Sequence, residues 1–167
     1  GQYIKKIYFI AHLIKTVSTE SNPTYGPIVK LKRIGYNGEK IIITGCNDNR
    51  LYAVNSDGSL RFSVLTGDKV QVSPSVMELN GELFIFFGSK DDKIYAVDLN
   101  GNALSGWPVN LGNDIIASPC FADFDGDGSS EIVTAINGSE IFVLYNDGTT
   151  YPHFPINTGG LLRGAIT

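Results

Sequence analysis

A chain of 167 residues, 43% hydrophobic and 18% charged, is long enough to bury one or two modest cores and is globular, not disordered. Nineteen glycines, one methionine and many β-branched and aromatic side chains favour strands and tight turns. The net charge of −4 is uneven: residues 1–40 hold seven Lys/Arg against two Glu, residues 41–167 hold six against fifteen Asp/Glu, and without an arginine-rich run the basic end predicts no nucleic-acid binding.

Along the chain the apolar patch 7–14 follows Lys5 and Lys6. It falls far short of the roughly 20 residues a membrane span needs, so it is expected to be a strand or the tail of a signal sequence. With Gly1 first and Met77 the single methionine, the chain reads as a processed product or a piece of a longer one.

From residue 25 onward one unit recurs three times. Leu51-Tyr52-Ala53-Val54-Asn55, Ile94-Tyr95-Ala96-Val97-Asp98 and Ile141-Phe142-Val143-Leu144-Tyr145 align, each preceded by a short polar turn and each followed by Asp/Asn-Gly. Ser73-Pro74 and Ser118-Pro119 repeat upstream; Trp107-Pro108-Val109-Asn110 and Phe154-Pro155-Ile156-Asn157 repeat downstream. In the second unit the spacing predicts strands at 75–79, 83–88, 94–98 and near 107–110, separated by Asn80-Gly81 and Asn100-Gly101 turns. The run Leu83-Phe84-Ile85-Phe86-Phe87 predicts a strand buried on both faces, and no segment carries a helical period. Four-stranded antiparallel units of about 45 residues are the blades of a β-propeller. The expected fold is therefore an all-β propeller with complete blades at 25–69, 70–114 and 115–158. Residues 1–24 would end a preceding blade and 159–167 begin the next. Such an arc is either part of a six- to eight-bladed ring or a four-bladed ring whose ends share one blade.

The third unit carries the most informative stretch. Asp123, Asp125, Asp127 and Glu131 fall at alternating or nearly alternating positions with Gly126 and Gly128 between them. Carboxylates so placed repel one another unless a cation joins them, and a hard ion such as Ca²⁺ takes six to eight oxygens in a tolerant geometry. The glycines let the chain curl, which would bring in a carbonyl from Ser129. Strand-like flanks and Thr134 at the twelfth position separate this loop from an EF-hand. The alternative is an acidic hairpin turn that binds nothing. The matching connections of the other units lack these ligands, so one calcium site is expected.

The Ile-Tyr-Ala-Val-Asp and Leu-Tyr-Ala-Val-Asn segments, with the Ser-Pro element, resemble the blade repeats of pyrroloquinoline-quinone-like propellers. Residues 121–133 resemble an FG-GAP calcium repeat of the integrin-α or VCBS type. That second resemblance implies a loop joining the first two strands of a blade. Asp123, Asp125, Asp127 and Glu131 would give side-chain oxygens there, and Ser129 its carbonyl; Glu131 departs from the Asp that the family often has.

No catalytic constellation is found. Quinone dehydrogenases use adjacent cysteines, whereas Cys46 and Cys120 stand far apart and are expected to be buried free thiols. His12 and His153 are isolated, Asp91-Asp92 is expected to be a solvated turn, and Tyr52, Tyr95, Phe142, Trp107 and Phe154 are assigned to blade packing. Asn137-Gly138-Ser139 fits a glycosylation sequon but is read as a hairpin turn. The expected function is a non-catalytic, calcium-stabilised binding or scaffold module of an extracellular, cell-surface or periplasmic protein. A protein or glycan ligand would sit on a propeller face. The alternative is the propeller part of a secreted polysaccharide lyase or hydrolase whose catalytic residues lie elsewhere.

Overall fold

The computed structural model describes residues 28–32, 41–160 and 162. The expectations for 1–24 and for His12 lie outside these residues, as does most of 159–167. The described part holds twelve strands in three four-stranded antiparallel sheets. The first blade is β1 (Ile28–Lys32), β2 (Ile41–Gly45), β3 (Arg50–Asn55) and β4 (Leu60–Leu65). The second is β5 (Ser75–Leu79), β6 (Glu82–Gly88), β7 (Lys93–Asp98) and β8 (Val109–Asn110). The third is β9 (Cys120–Ala122), β10 (Glu131–Ala135), β11 (Glu140–Leu144) and β12 (Ile156–Asn157). Each strand pairs with its sequence neighbour, the up-and-down order of propeller blades.

The sequence repeat is reproduced as pairing register. In the central hairpins Gly45 faces Leu51, Gly88 faces Ile94 and Ala135 faces Ile141. The strand β6 is buried from Phe84 to Gly88, with Leu83 half-buried. Two apolar clusters lie between the blades. Ile85, Phe87 and Val97 join Ile41, Ile43, Leu51 and Val70; Phe86, Ile94 and Trp107 join Ile115, Ile132 and Leu144. Alternate residues of β6 thus enter opposite clusters, because successive side chains of a strand point to opposite faces.

The joints between blades also repeat. Val70 N–H donates to the Cys46 carbonyl and Ile115 N–H to the Ser89 carbonyl, at 3.0 and 3.1 Å. Thr66, Leu111 and Thr158 donate to the carbonyls of Asn49, Asp92 and Ser139, at 2.7–2.8 Å. Asn49 and Asp92 hold positive φ, 66° and 69°, in the turn that presents those carbonyls. Val70 and Ile115 lie so close on Gly45 and Gly88 that a Cβ there would overlap them. These two positions require glycine for space.

Candidate functional site: the acidic loop of the third blade

The segment 123–130 joins β9 to β10, where the second blade has only Asn80-Gly81. Its backbone is folded around its own carboxylates. Asp123 accepts from Gly126 N–H at 2.7 Å and from Gly128 N–H at 3.1 Å. Asp125 accepts from Asp127 N–H at 3.2 Å, and Asp127 from Ser129 N–H at 2.6 Å. Gly126 and Gly128 have φ of 78° and 89°, and a Cβ on either would meet nothing. They are needed for conformation, not for space.

Three of the expected ligands come together. Oxygens of Asp123, Asp125 and Glu131 lie within 4.8 Å of one another. Asp127 stands outside that group, with one carboxylate oxygen on Ser129 N–H. Ser129 lies on the exposed rim of the loop. Glu131 opens β10 and is 2% exposed, with its Oε2 accepting from Phe124 N–H at 2.7 Å. Among the described residues no Lys, Arg or His forms an ion pair with any of these carboxylates. Three such charges at this spacing cost on the order of 1–3 kcal/mol per pair without a counterion, depending on the local dielectric. An all-oxygen donor set matches Ca²⁺ better than Zn²⁺, which takes nitrogen and sulfur ligands as well.

The negative charge reaches the neighbouring aromatic rings. Tyr151 packs on Phe124 at 6.0 Å and on Phe154 at 6.2 Å, and Tyr145 on Tyr151 at 5.1 Å. Desolvation raises both phenols above their ordinary pKa, and Asp125, Glu131 and Asp127 push them further. Phe124 itself is 49% exposed.

Several residues differ from expectation. Asp91 is no solvated turn residue, because its side chain is 7% exposed. It accepts from Tyr95 O–H at 2.5 Å, from Gly67 N–H at 2.7 Å and from Lys93 N–H at 3.2 Å. The Gly67 donor arrives from the segment that joins the first blade to the second, which solvation reasoning on a local turn overlooks. Asp48 and Tyr52 form the same pair in the first blade, also at 2.5 Å. The signal was in the repeat: Asp48 and Tyr52, Asp91 and Tyr95 share a four-residue spacing, and the third blade loses both partners together as Gly138 and Phe142. Burial pushes the Tyr52 and Tyr95 phenols well above their ordinary range, and their bonds to Asp48 and Asp91 add to it.

Cys46 and Cys120 are free, but half-buried instead of buried. Burial raises both thiols, so neither is an activated nucleophile. Trp107 is buried, meets Phe86 edge-on at 5.3 Å and donates from Nε1 to the Asn146 carbonyl at 2.9 Å. Its counterpart Phe154 is only half-buried, in the aromatic group beside the acidic loop. Both precede a cis proline. His153 is exposed and lies in the connection from β11 to β12 at a φ of 68°.

Comparison with known proteins shows the fold. A BBS1N chain, solved in complex with ARL6DN from a lead-soaked crystal, superposes with a TM-score of 0.59 at 16% identity over 86% of this chain. It is a β-propeller. BamB from Moraxella catarrhalis matches over 75% of this chain at 14% identity and a TM-score of 0.49, too low to add to the argument. The chain spans 43% and 36% of the length of these two structures. No known protein family and no curated protein matches the sequence. Among the described residues no helix is long and apolar enough to cross a membrane.

Proposed function

We propose that the chain is a non-catalytic propeller segment, stabilised by one calcium ion, that serves as a binding scaffold for another protein. The observation that carries the calcium part is the convergence of Asp123, Asp125 and Glu131 within 4.8 Å, with Glu131 buried and without a cationic partner among the described residues. Asp127 and the Ser129 carbonyl complete the set once the ion draws the loop in. The ion does no chemistry on a substrate: it cancels the repulsion of the loop and fixes the hairpin from β9 to β10. Binding in the 10⁻⁴–10⁻³ M range, typical of extracellular modules, suits a cell-surface or periplasmic setting.

The scaffold part is supported by the fold. A propeller of the same fold has been captured with a protein bound, BBS1N with ARL6DN. Calorimetric titration of Ca²⁺ into chelator-treated protein tests the calcium part. The expected result is saturable binding near one ion per chain, with a rise in melting temperature that Asp125→Ala abolishes. No heat up to several millimolar, above the range of such modules, would reduce the loop to an acidic turn.

A further inference from the structure

Three Asn-Gly dipeptides fall within the described residues, at 80–81, 100–101 and 137–138. As sequence they are alike: a glycine without a side chain leaves its backbone nitrogen open to the carboxamide that precedes it. All three asparagines are exposed. The fold holds them differently. Asn80 and Gly81 have φ of 52° and 81°, the two central residues of a type I′ turn, and Leu79 faces Glu82 directly across it. Asn100 is tied to Asp98: its N–H donates to Oδ1 at 2.7 Å, and the Gly101 N–H donates to the Asp98 carbonyl at 3.1 Å.

Asn137 stands in a wider turn, closed by the Ile136 N–H on the Glu140 carbonyl at 3.2 Å. At the middle of this turn the first two blades carry Asp48 and Asp91, each held by a tyrosine. The third blade has Gly138 there, at a φ of 149°. Among the described residues neither the Asn137 carboxamide nor the Gly138 N–H has a hydrogen-bond partner. Of the three dipeptides, this one combines an uncommitted backbone nitrogen, a carboxamide in solvent and no two-residue turn to unwind.

We propose that Asn137 is a site of spontaneous covalent modification, at which the carboxamide is lost as ammonia and aspartate or isoaspartate takes its place. The Gly138 N–H gives its proton to hydroxide, and its nitrogen bonds to the side-chain carbonyl carbon of Asn137. The bond from that carbon to Nδ2 breaks, and the nitrogen leaves with a proton as ammonia. Water then opens the cyclic imide at either carbonyl. Only the medium takes part, so the reaction needs neither an ion nor a partner. The turn is also a fastening point. Asn137 N–H donates to the Asp114 carbonyl at 2.7 Å, and the Ser139 carbonyl accepts from Thr158 N–H at 2.7 Å and from Thr158 Oγ1 at 3.0 Å. Isoaspartate inserts a methylene into the main chain between these bonds, which loosens the entry and the exit of the third blade together.

The test holds the folded protein, and the same protein in urea, at mildly alkaline pH. Mass spectrometry follows the three Asn-Gly peptides through the gain in mass of acid over amide and the splitting of each product into two isomers. In the folded protein the Asn137 peptide should convert first, with Asn100 at least about tenfold slower, as its hydrogen bonds to Asp98 imply. In urea the three rates should draw together, since the dipeptide alone then decides. Asn137→Ser should abolish the first release of ammonia and leave the slower ones. An Asn137 no faster than Asn80 and Asn100 in the folded protein, or the same ranking in urea, would overturn the proposal. Hydrogen exchange compares fresh protein with the isolated isoaspartate form. Exchange at Thr158 should quicken in the aged form and stay unchanged in β6 and β7. Equal exchange at Thr158 in both forms would overturn the loosening of the blade.

Discussion

The second and third blades share strand order and central-hairpin register, yet they are tied down by different means. The second blade uses a donor clamp: the Asp91 carboxylate gathers Tyr95 O–H, Gly67 N–H and Lys93 N–H, with the Lys93 ammonium at 3.9 Å, and so pins the entering chain to the β6–β7 hairpin. In the third blade Gly138 and Phe142 stand where that clamp would be, and the carboxylates appear instead in the connection from β9 to β10. A buried carboxylate with three protein donors needs no ion. Three that converge without a cationic partner among the described residues are the set for which we propose one. On the proposed reading one scaffold tolerates two solutions to the same problem of stiffening a blade, and the second would couple stability to the calcium of the medium.

The contrast can be broken in graded steps. The largest effect is expected from Gly88→Ala, which forces a methyl into Ile115 at the joint of the two blades. Overpacking of this kind costs about 3 kcal/mol, and chemical denaturation should report it equally with and without calcium. Next is the ion itself. At calcium a hundredfold above its dissociation constant the native state gains about 2.7 kcal/mol; hydrogen exchange should slow in β9, β10 and β11, remain unchanged in β6 and β7, and lose this response in Asp125→Ala. Asp91→Ala should then cost about 2 kcal/mol, since it strips Tyr95 and Gly67 of their acceptor. Asp48→Ala should cost about 1 kcal/mol, because it strips Tyr52 O–H of its acceptor. Equal losses at the two sites would show that the Gly67 bond adds nothing.

The smallest effect concerns pH. Tyr95 is raised by burial and then by its bond to Asp91. A phenol raised in the folded state contributes stability that is complete below its unfolded pKa of about 10 and is lost as pH climbs above that value. Denaturation midpoints should therefore fall as pH rises beyond about 10, and Tyr95→Phe should flatten that fall. An unchanged slope would mean that the phenol does not titrate with folding.

Much of this was legible in the sequence, for a physical reason. Strand bounds follow from alternation and from turn dipeptides, which are local, so the expected 94–98 strand is observed as Lys93–Asp98 and 75–79 as Ser75–Leu79. The convergence of Asp123, Asp125 and Glu131 was also within reach, because glycine and a nine-residue span bring them together without help from elsewhere. Asp91 was not, since its burial is created by a donor 24 residues upstream. The burial of Trp107 but not Phe154 likewise depends on Asn146 of the following blade.

The segments that leave each blade, Thr66 to Val70 and Leu111 to Ile115, are fastened to the hairpin they have just passed. Every unit therefore carries its own hinge-pin, and the heading of the chain is set before the next blade begins. In evolutionary terms, a duplicated stretch of gene would arrive with its joint already made. Such a fold can lengthen by whole units while single connections, such as the one holding Asp123 and Asp125, are exchanged without disturbing the count.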